Sequence, residues 1–319
     1  MTLRARLAVT LGDPRGIGPE VAARALLAPL DAHITVIGAD DQVEAVPADE
    51  RIGVGVWKAG AGQGKDRVRG LRAGQIAGHA IQRAVKLAMA RQVDGIVTGP
   101  VEKHALHAAG FPFPGQTEWL GNLAGATDVA MMLVAGALRV VLITTHAALR
   151  DVPALVTFDR IVKTGKVTRR GLSEWFGIDQ PRMALCALNP HAGEQGLFGD
   201  EEIRVLGPAA QALRATGPLP ADTVFVRAMR GEFDAVLTPY HDVGMVAIKV
   251  AAFGQGVNVT LGLPFPRTSP DHGTAFDIAG TGKADPASMR AALELAATLG
   301  TRRPIYPTIS EGFGVRPTS

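Results

Sequence analysis

Four of the eight histidines directly follow apolar, strand-like runs, in loops that also carry polar residues or glycine. They are His146 (TTH), His191 (NPHAGE), His241 (YHD) and His272 (DHGT). Ligands of open α/β sheets bind at the carboxyl ends of the strands, so these imidazoles are predicted to lie near a ligand. A single histidine there is commonly a hydrogen-bonded loop residue. Three neutral imidazoles, however, form an open site for Zn²⁺ or a similar divalent ion, which would polarise a substrate hydroxyl.

Cationic and amide side chains follow in the same part of the chain. Lys249 comes after His241, Asn258 lies in the segment GVNVTLG, and Arg267 follows PFP. A lysine, an arginine and an asparagine close to a metal ion would suit a phosphate or carboxylate group. Ordinary surface ion pairing would explain the same residues, and their spacing alone does not decide between the two interpretations.

Two glycine-rich segments could approach an anion or a nucleotide closely. Residues 12–18 (GDPRGIG) join a strand to a helix start, where backbone N–H groups can hold an anion. Residues 271–286 form a loop with many glycines and few large side chains. Both could equally be turns that serve only packing or connection. A third segment, 58–65 (KAGAGQGK), lacks the spacing of a phosphate-binding loop and is predicted to be a surface loop.

Strands that alternate with helices must position these residues. Apolar, β-rich runs predict strands at 7–11, 33–38, 52–57, 95–98, 129–134, 139–144, 182–188, 235–238 and 257–263. Helical patterns predict a helix that begins at Pro19 and further helices over 77–91, 158–173, 201–215 and 288–299. The alternation indicates an α/β architecture with largely parallel strand pairing.

The composition of the 319-residue chain argues against several classes of protein. The net charge is +3 and no dense Lys/Arg run occurs, which disfavours nucleic-acid binding. The single cysteine, Cys186, cannot form an internal disulfide and is predicted to be a packed strand residue within MALCAL. No apolar stretch reaches the length of a membrane span and the N-terminus lacks signal-peptide features, so we expect a cytoplasmic protein that does not bind membranes.

Eight longer motifs identify a family. They are GDPRGIGPE (12–20), TGPVEK (98–103), GQTE (115–118), TTHAALRD (144–151), LNPHAGE (188–194), YHD (240–242), GVNVTLGLPFPR (256–267) and TSPDHGT (268–274). Through these motifs the chain resembles, essentially from end to end, the 4-hydroxythreonine-4-phosphate dehydrogenase family of vitamin B6 biosynthesis. No GxGxxG dinucleotide fingerprint is found, and the resemblance does not require one.

The resemblance implies a fold like that of isocitrate and isopropylmalate dehydrogenases, with two α/β/α lobes and the active site in the cleft between them. We expect residues 1–128 and 265–319 to form lobe one, on the side of the cofactor loop. Residues 129–264 are expected to form lobe two, with the metal histidines and the dimer contact. The resemblance further implies a homodimer in which the partner chain contributes to each active site.

The activity that the resemblance implies is the NAD- or NADP-linked oxidation of 4-phosphooxy-L-threonine, a small anionic substrate. The secondary hydroxyl is oxidised by hydride transfer, and the resulting β-keto acid loses CO₂ on the route to pyridoxal 5'-phosphate. The implied metal is a divalent ion: Zn, Mg, Mn or Co.

The resemblance also assigns roles to individual residues. The implied metal ligands are His146, His191 and His241. The implied substrate contacts are Thr117, Lys249, Asn258 and Arg267, with Gln116 at a further substrate position. The expected cofactor contacts are Gly12, Asp13, His272, Gly273, Thr274 and Gly280. Lys249 and Asp242 are the expected catalytic groups, with Asp242 either orienting a metal ligand or accepting a proton.

Two positions depart from the family pattern. Gln116 stands where the family usually has histidine, in GHTE, and an amide cannot carry a positive charge. Glu102 stands where histidine is common. The substrate could therefore instead be 4-phosphothreonate or a cis-dihydrodiol of an aromatic acid. A non-catalytic metabolite-binding protein would be expected to lack a metal histidine or the cofactor loop, and the sequence retains both.

Overall fold

The computed structural model describes residues 4–57, 66–252 and 254–302. Segment 58–65, predicted to be a surface loop, lies outside the described residues. Within the described residues, eleven strands form one sheet. They are β1 Ala5–Thr10, β2 Ala32–Gly38, β3 Glu50–Gly53, β4 Gly95–Thr98, β5 Ala130–Ala135, β6 Leu138–Leu142, β7 Met183–Cys186, β8 Thr216–Leu219, β9 Ala235–Thr238, β10 Val257–Leu261 and β11 Arg267–Pro270.

Helices cover the sheet. They are α1 Gly18–Ala25, α2 Asp40–Val43, α3 Asp66–Met89, α4 Lys103–Ala108, α5 Gln116–Leu123, α6 Val152–Leu155, α7 Phe158–Glu174, α8 Gly207–Leu213, α9 Ala221–Met229, α10 His241–Ala252 and α11 Ala287–Gly300. Shorter helical turns occur at Leu149–Asp151, Pro190–Gly196 and Glu202–Leu206.

The strand order is β3-β2-β1-β4-β11-β10-β5-β6-β9-β7-β8. Most neighbours are parallel, and the antiparallel pairs β11–β10, β10–β5 and β5–β6 lie together in the middle of the sheet. All residues of β4, β7 and β9 are buried, as expected of parallel strands with helices on both faces. The predicted α/β class with largely parallel pairing is confirmed.

Several element predictions were wrong in type or extent. No helix was predicted over residues 241–252, but they form α10. The predicted helix over 201–215 is divided, because Pro208 has no N–H to continue the hydrogen-bond ladder, and a wide turn precedes α8. Helix α3 begins at Asp66, eleven residues before the predicted start at residue 77.

The border predicted between the lobes, at residues 264 and 265, falls between β10 and β11, which are neighbours in the sheet. The division into two lobes stays a prediction. Cys186 is wholly buried in β7, and burial raises the pKa of its thiol to about 12, which confirms that it is a packed strand residue. Among the described residues, no helix has the length and apolar character needed to cross a membrane.

Candidate active site

A cleft of about 370 Å³ opens where several strands end. Thr98 ends β4, His241 follows β9 and His272 follows β11, so the cleft lies at carboxyl ends of strands. The predicted site residues that line it are Gln116, Thr117, His146, His241, Asn258, Arg267, His272 and Gly273. The predicted site residues that do not line it are Gly12, Asp13, His191, Asp242, Lys249, Thr274 and Gly280.

Two neighbouring parallel strands bring His146 and His241 together. Strand β6 leads to His146 and β9 leads to His241, and the Thr144 hydroxyl donates a 2.7 Å hydrogen bond to the Pro239 carbonyl between them. Helix α10 can lie close to both strands because Gly244 has no side chain. A Cβ there would come within 2.8 Å of side-chain atoms of β6 and β9. The two imidazole ring centres are 5.7 Å apart.

The local contacts of these imidazoles suit metal ligation. The Asp242 carboxylate lies 2.7 Å from Nδ1 of His241. A carboxylate only accepts, so the proton is assigned to Nδ1, which leaves Nε2 as a free ligand atom. Burial lowers the pKa of His146, and the nearby charges of Lys103 and His241 lower it further against the opposing effect of Glu118. His146 is therefore neutral at neutral pH.

His191 does not join this pair within one chain. The described residues contain no group of three or more His, Cys, Asp or Glu side chains that could hold a metal ion. His191 is exposed instead, on a turn in which residues 191–195 all have left-handed backbone angles, with φ between 43° and 79°. Four of these five are not glycine, and each costs about 1–2 kcal/mol relative to a right-handed residue. Strain of this kind persists only where surrounding contacts enforce it.

Arg267 is buried beneath the cleft, where two threonines and Gln116 hold its guanidinium. Nε and Nη2 donate to the Thr98 hydroxyl at 3.2 and 2.6 Å, and Nη1 donates to the Thr260 hydroxyl at 3.0 Å. Nη2 also donates to the Gln116 amide oxygen at 3.2 Å. Within the described residues Arg267 forms no ion pair at 4 Å or less. Burial lowers its pKa to about 10, so the guanidinium is charged at neutral pH.

Two buried polar atoms in the lining of the cleft have no hydrogen-bond partner among the described residues. They are Oδ1 of Asn258 and Nε2 of His272. Nδ1 of His272 lies 3.1 Å from the Gly273 carbonyl oxygen, which can only accept, so Nε2 is the bare acceptor of the ring. An unsatisfied buried polar atom costs about 1–3 kcal/mol. Both atoms therefore favour a ligand that offers donors.

Lys249 pairs with an aspartate of the cleft lining. Its Nζ lies 2.6 Å from Oδ2 of Asp271, and it also donates to the Asp271 carbonyl at 3.2 Å. The Asp271 side chain is only 5% exposed, and its backbone N–H donates to the Ser288 hydroxyl on α11. The lysine predicted to contact substrate is thus linked to the residue that precedes His272.

The two glycine-rich segments expected to contact a cofactor lie against each other. The N–H of Ile17 donates to the Thr274 carbonyl, and the N–H of Gly280 donates to Glu20 of α1. Gly12 and Asp13 have packing roles here. A Cβ at Gly12 would lie 2.2 Å from the Pro100 carbonyl oxygen, and the Asp13 carboxylate is buried against the Arg15 guanidinium.

Sequence reasoning missed Thr98, Glu118 and Asp271 as residues of the cleft. Thr98 and Glu118 fall inside recognised motifs, and Asp271 directly precedes His272, so their positions offered a signal. The sequence offered no signal for their contacts. The hydrogen bond from Arg267 to Thr98, for example, joins residues that are 169 positions apart.

Comparisons with known proteins agree along most of the chain. The family model described as pyridoxal phosphate biosynthetic protein PdxA matches residues 11–296. A 4-hydroxythreonine-4-phosphate dehydrogenase of Geobacter metallireducens is 43% identical over 92% of this chain and 95% of its own. A D-threonate 4-phosphate dehydrogenase of Pectobacterium atrosepticum is 39% identical over 92% and 98%. The crystal structure of 4-hydroxythreonine-4-phosphate dehydrogenase from Klebsiella pneumoniae matches with a TM-score of 0.82 at 39% identity, covering 94% and 99%.

Proposed function

The chain belongs to the family of pyridoxal phosphate biosynthetic protein PdxA, and we propose that it oxidises 4-phosphooxy-L-threonine, with loss of CO₂, in the synthesis of pyridoxal 5'-phosphate. Its relatives are dehydrogenases, so the chain is an oxidoreductase of this type. The observation that carries the substrate class is the buried, charged guanidinium of Arg267, whose hydrogen bonds within the described residues all go to neutral side chains. Its positive charge is therefore available to pair with an anionic group of the substrate.

The donor set of the cleft supports a divalent ion and a nicotinamide cofactor. His146 and His241 offer two imidazole nitrogens on one side of the cleft, and His272 offers an unpartnered acceptor beside the glycine-rich loop. When bound, the ion would polarise the substrate hydroxyl, and the nicotinamide would take up the hydride from the carbon that bears this hydroxyl. His146 and His241 are the residues of this chain that would hold the ion, and residues 272–280 would hold the adenosine part of NAD or NADP.

The remaining side chains bind and orient the substrate. Arg267 neutralises an anionic group, and the unpartnered Asn258 oxygen accepts from a substrate donor. Thr117 and Gln116 complete this wall of the cleft. Lys249 reaches the substrate by exchanging its contact with Asp271 for a substrate anion. Asp242 keeps the ring of His241 in the orientation that exposes Nε2.

A second copy of the chain supplies the third imidazole in this proposal. An apolar groove of about 690 Å³ lies between α9 and α10, and the exposed side chains along it include Val226, Met229, Val246 and Val250. Exposed apolar surface of this kind favours a protein interface. The groove includes Asp242, the neighbour of His241, so a partner seated there approaches the metal histidines. We propose a two-fold dimer in which His191 of one copy completes the site of the other.

Mixing two inactive variants tests this shared site. His191→Ala and His241→Ala homodimers should each be inactive, whereas randomly reassembled mixtures should recover about a quarter of the wild-type activity. Half of those dimers are mixed, and each mixed dimer keeps one complete site of its two. As a matched control, mixtures of His146→Ala with His241→Ala should stay inactive, since both residues belong to the same half-site. If the mixture of His191→Ala with His241→Ala recovers no activity, His191 does not belong to the site.

The substrate is tested by following NADH formation from 4-phosphooxy-L-threonine with metal-loaded protein, before and after EDTA treatment. Turnover that EDTA abolishes is the expected result. Absence of turnover, from protein that binds both a divalent ion and NAD⁺, would contradict the proposed substrate.

The second candidate substrate is 4-phosphothreonate. It is favoured by the D-threonate 4-phosphate dehydrogenase of Pectobacterium atrosepticum, which is 39% identical to this chain. Gln116, whose amide carries no charge where the family usually has histidine, leaves the choice of substrate open. It is assayed beside 4-phosphooxy-L-threonine and a cis-dihydrodiol carboxylate, and the highest kcat/KM identifies the substrate.

A further inference from the structure

We propose that Glu202 is a positioning residue, which holds the left-handed turn 191–195 in place and thereby sets the direction of His191. The inference rests on the proposed function, because the turn has a catalytic purpose only if His191 reaches the site of a second copy. Glu202 lies outside every motif that the sequence analysis used, and it does not line the cleft.

The Glu202 carboxylate is buried against the end of β7. Glu202 is only 4% exposed. Oε1 accepts hydrogen bonds from the backbone N–H groups of Leu188 and Asn189 at 2.9 and 2.8 Å, and Oε2 accepts one from Nδ2 of Asn189 at 2.9 Å. These three bonds fix the two residues through which the chain leaves the strand toward His191.

The same carboxylate lies against the turn itself. Gly193, at the centre of the left-handed run, is buried, and a Cβ there would come within 2.8 Å of Oε2 of Glu202. The turn closes on itself through the N–H of Phe198, which donates to the Gly193 carbonyl. Glu202 therefore contacts both the entrance and the middle of the strained segment. His191, which lies between them, has 67% of its side chain exposed and can extend away from its own chain.

Glu201 provides a matched control for the experiment. It is a neighbouring glutamate that also accepts from Nδ2 of Asn189, at 2.7 Å, but it makes no bond to the backbone N–H groups of residues 188 and 189. Glu202→Gln and Glu201→Gln therefore change the same chemistry at adjacent positions. Both variants place an amide where the Asn189 side chain donates, but only Glu202→Gln removes the carboxylate that accepts from the two backbone N–H groups.

The positioning claim is tested without any metal, by hydrogen–deuterium exchange over residues 188–199 of the full chain. Glu202→Gln should exchange faster there than wild type, and Glu201→Gln should exchange much like wild type. Equal exchange in Glu202→Gln and wild type would overturn the proposal. Glu202→Gln is preferred to Glu202→Ala because it keeps the volume of the buried side chain, and a thermal melt confirms that the variant is folded.

Titration with Co²⁺, followed by its visible spectrum, separates the inference from the proposed function. Loss of a residue that orients a metal ligand typically lowers metal affinity on the order of 10- to 100-fold, and this is the effect expected for folded Glu202→Gln. His191→Ala should bind Co²⁺ more weakly still, with the spectrum of a site that lacks one nitrogen. A normal titration of Glu202→Gln beside a weakened His191→Ala would overturn the inference. Faster exchange in Glu202→Gln with normal titrations of both variants would uphold the positioning role and contradict the proposed ligand role of His191.

Discussion

Replacing His241 by alanine should lower kcat/KM on the order of 10²- to 10³-fold, the loss typical of removing one group that stabilises developing negative charge. His241 is the imidazole on which the predicted metal site most depends. Its Nδ1 is engaged by Asp242, its Nε2 is free, and its ring lies 5.7 Å from that of His146. Alanine leaves one imidazole of this pair in the chain, which is too few ligands to hold a divalent ion tightly.

Metal content and turnover of the His241→Ala protein are measured together, by elemental analysis and NADH formation. His104→Ala is the control, because that imidazole is 97% exposed and does not line the cleft. The control should keep its metal and its turnover. Full turnover of His241→Ala after exhaustive chelation would show that the metal assignment is wrong.

The sequence predicted the strands better than the helices. Gly95–Thr98 and Ala235–Thr238 have the predicted bounds, because each is a short apolar run buried on both faces and ended by a helix breaker or a turn. Helix α10 was missed for the opposite reason. Its segment HDVGMVAIKVAA is apolar all round, with Val246 and Val250 exposed beside buried Ile248, so no amphipathic period marks it as a helix.

The strand-end rule was enough to place His146 beside His241, because β6 and β9 are neighbouring parallel strands whose carboxyl ends meet at one edge. The rule does not explain why His272 lines the same cleft, because β11 runs antiparallel to β6 across the three antiparallel pairs in the middle of the sheet. It could not place His191. His191 lies in the left-handed run after residue 190 and does not line the cleft, and no residue pattern predicts four non-glycine residues in that conformation. The sequence did not predict the burial of Arg267 either, because this burial depends on the pairing of β4 with β11, two strands that are far apart along the chain.

Replacing Arg267 by lysine should weaken recognition of a phosphorylated substrate by about 2–4 kcal/mol, or roughly 30- to 1000-fold in kcat/KM. Thr98, Thr260 and Gln116 accept hydrogen bonds from three different nitrogens of the guanidinium, a set of contacts that a single ammonium group cannot reproduce. A buried lysine also loses its charge more readily than arginine, because its ordinary pKa is lower. The matched control is Arg170→Lys, since Arg170 lies on the exposed side of α7 and does not line the cleft.

The pH dependence of KM provides a second test of the role of the Arg267 charge. Burial lowers the pKa of Arg267 to about 10, so the charged form that attracts an anion is complete at pH 7 and is lost as the pH rises through 10. KM for a phosphorylated substrate should therefore rise above pH 10 in wild type, provided that circular dichroism shows the protein still folded. For Arg267→Lys the rise should begin at lower pH. A KM that is unchanged by Arg267→Lys would mean that the buried guanidinium serves only to join β4, β10 and α5 beneath the cleft.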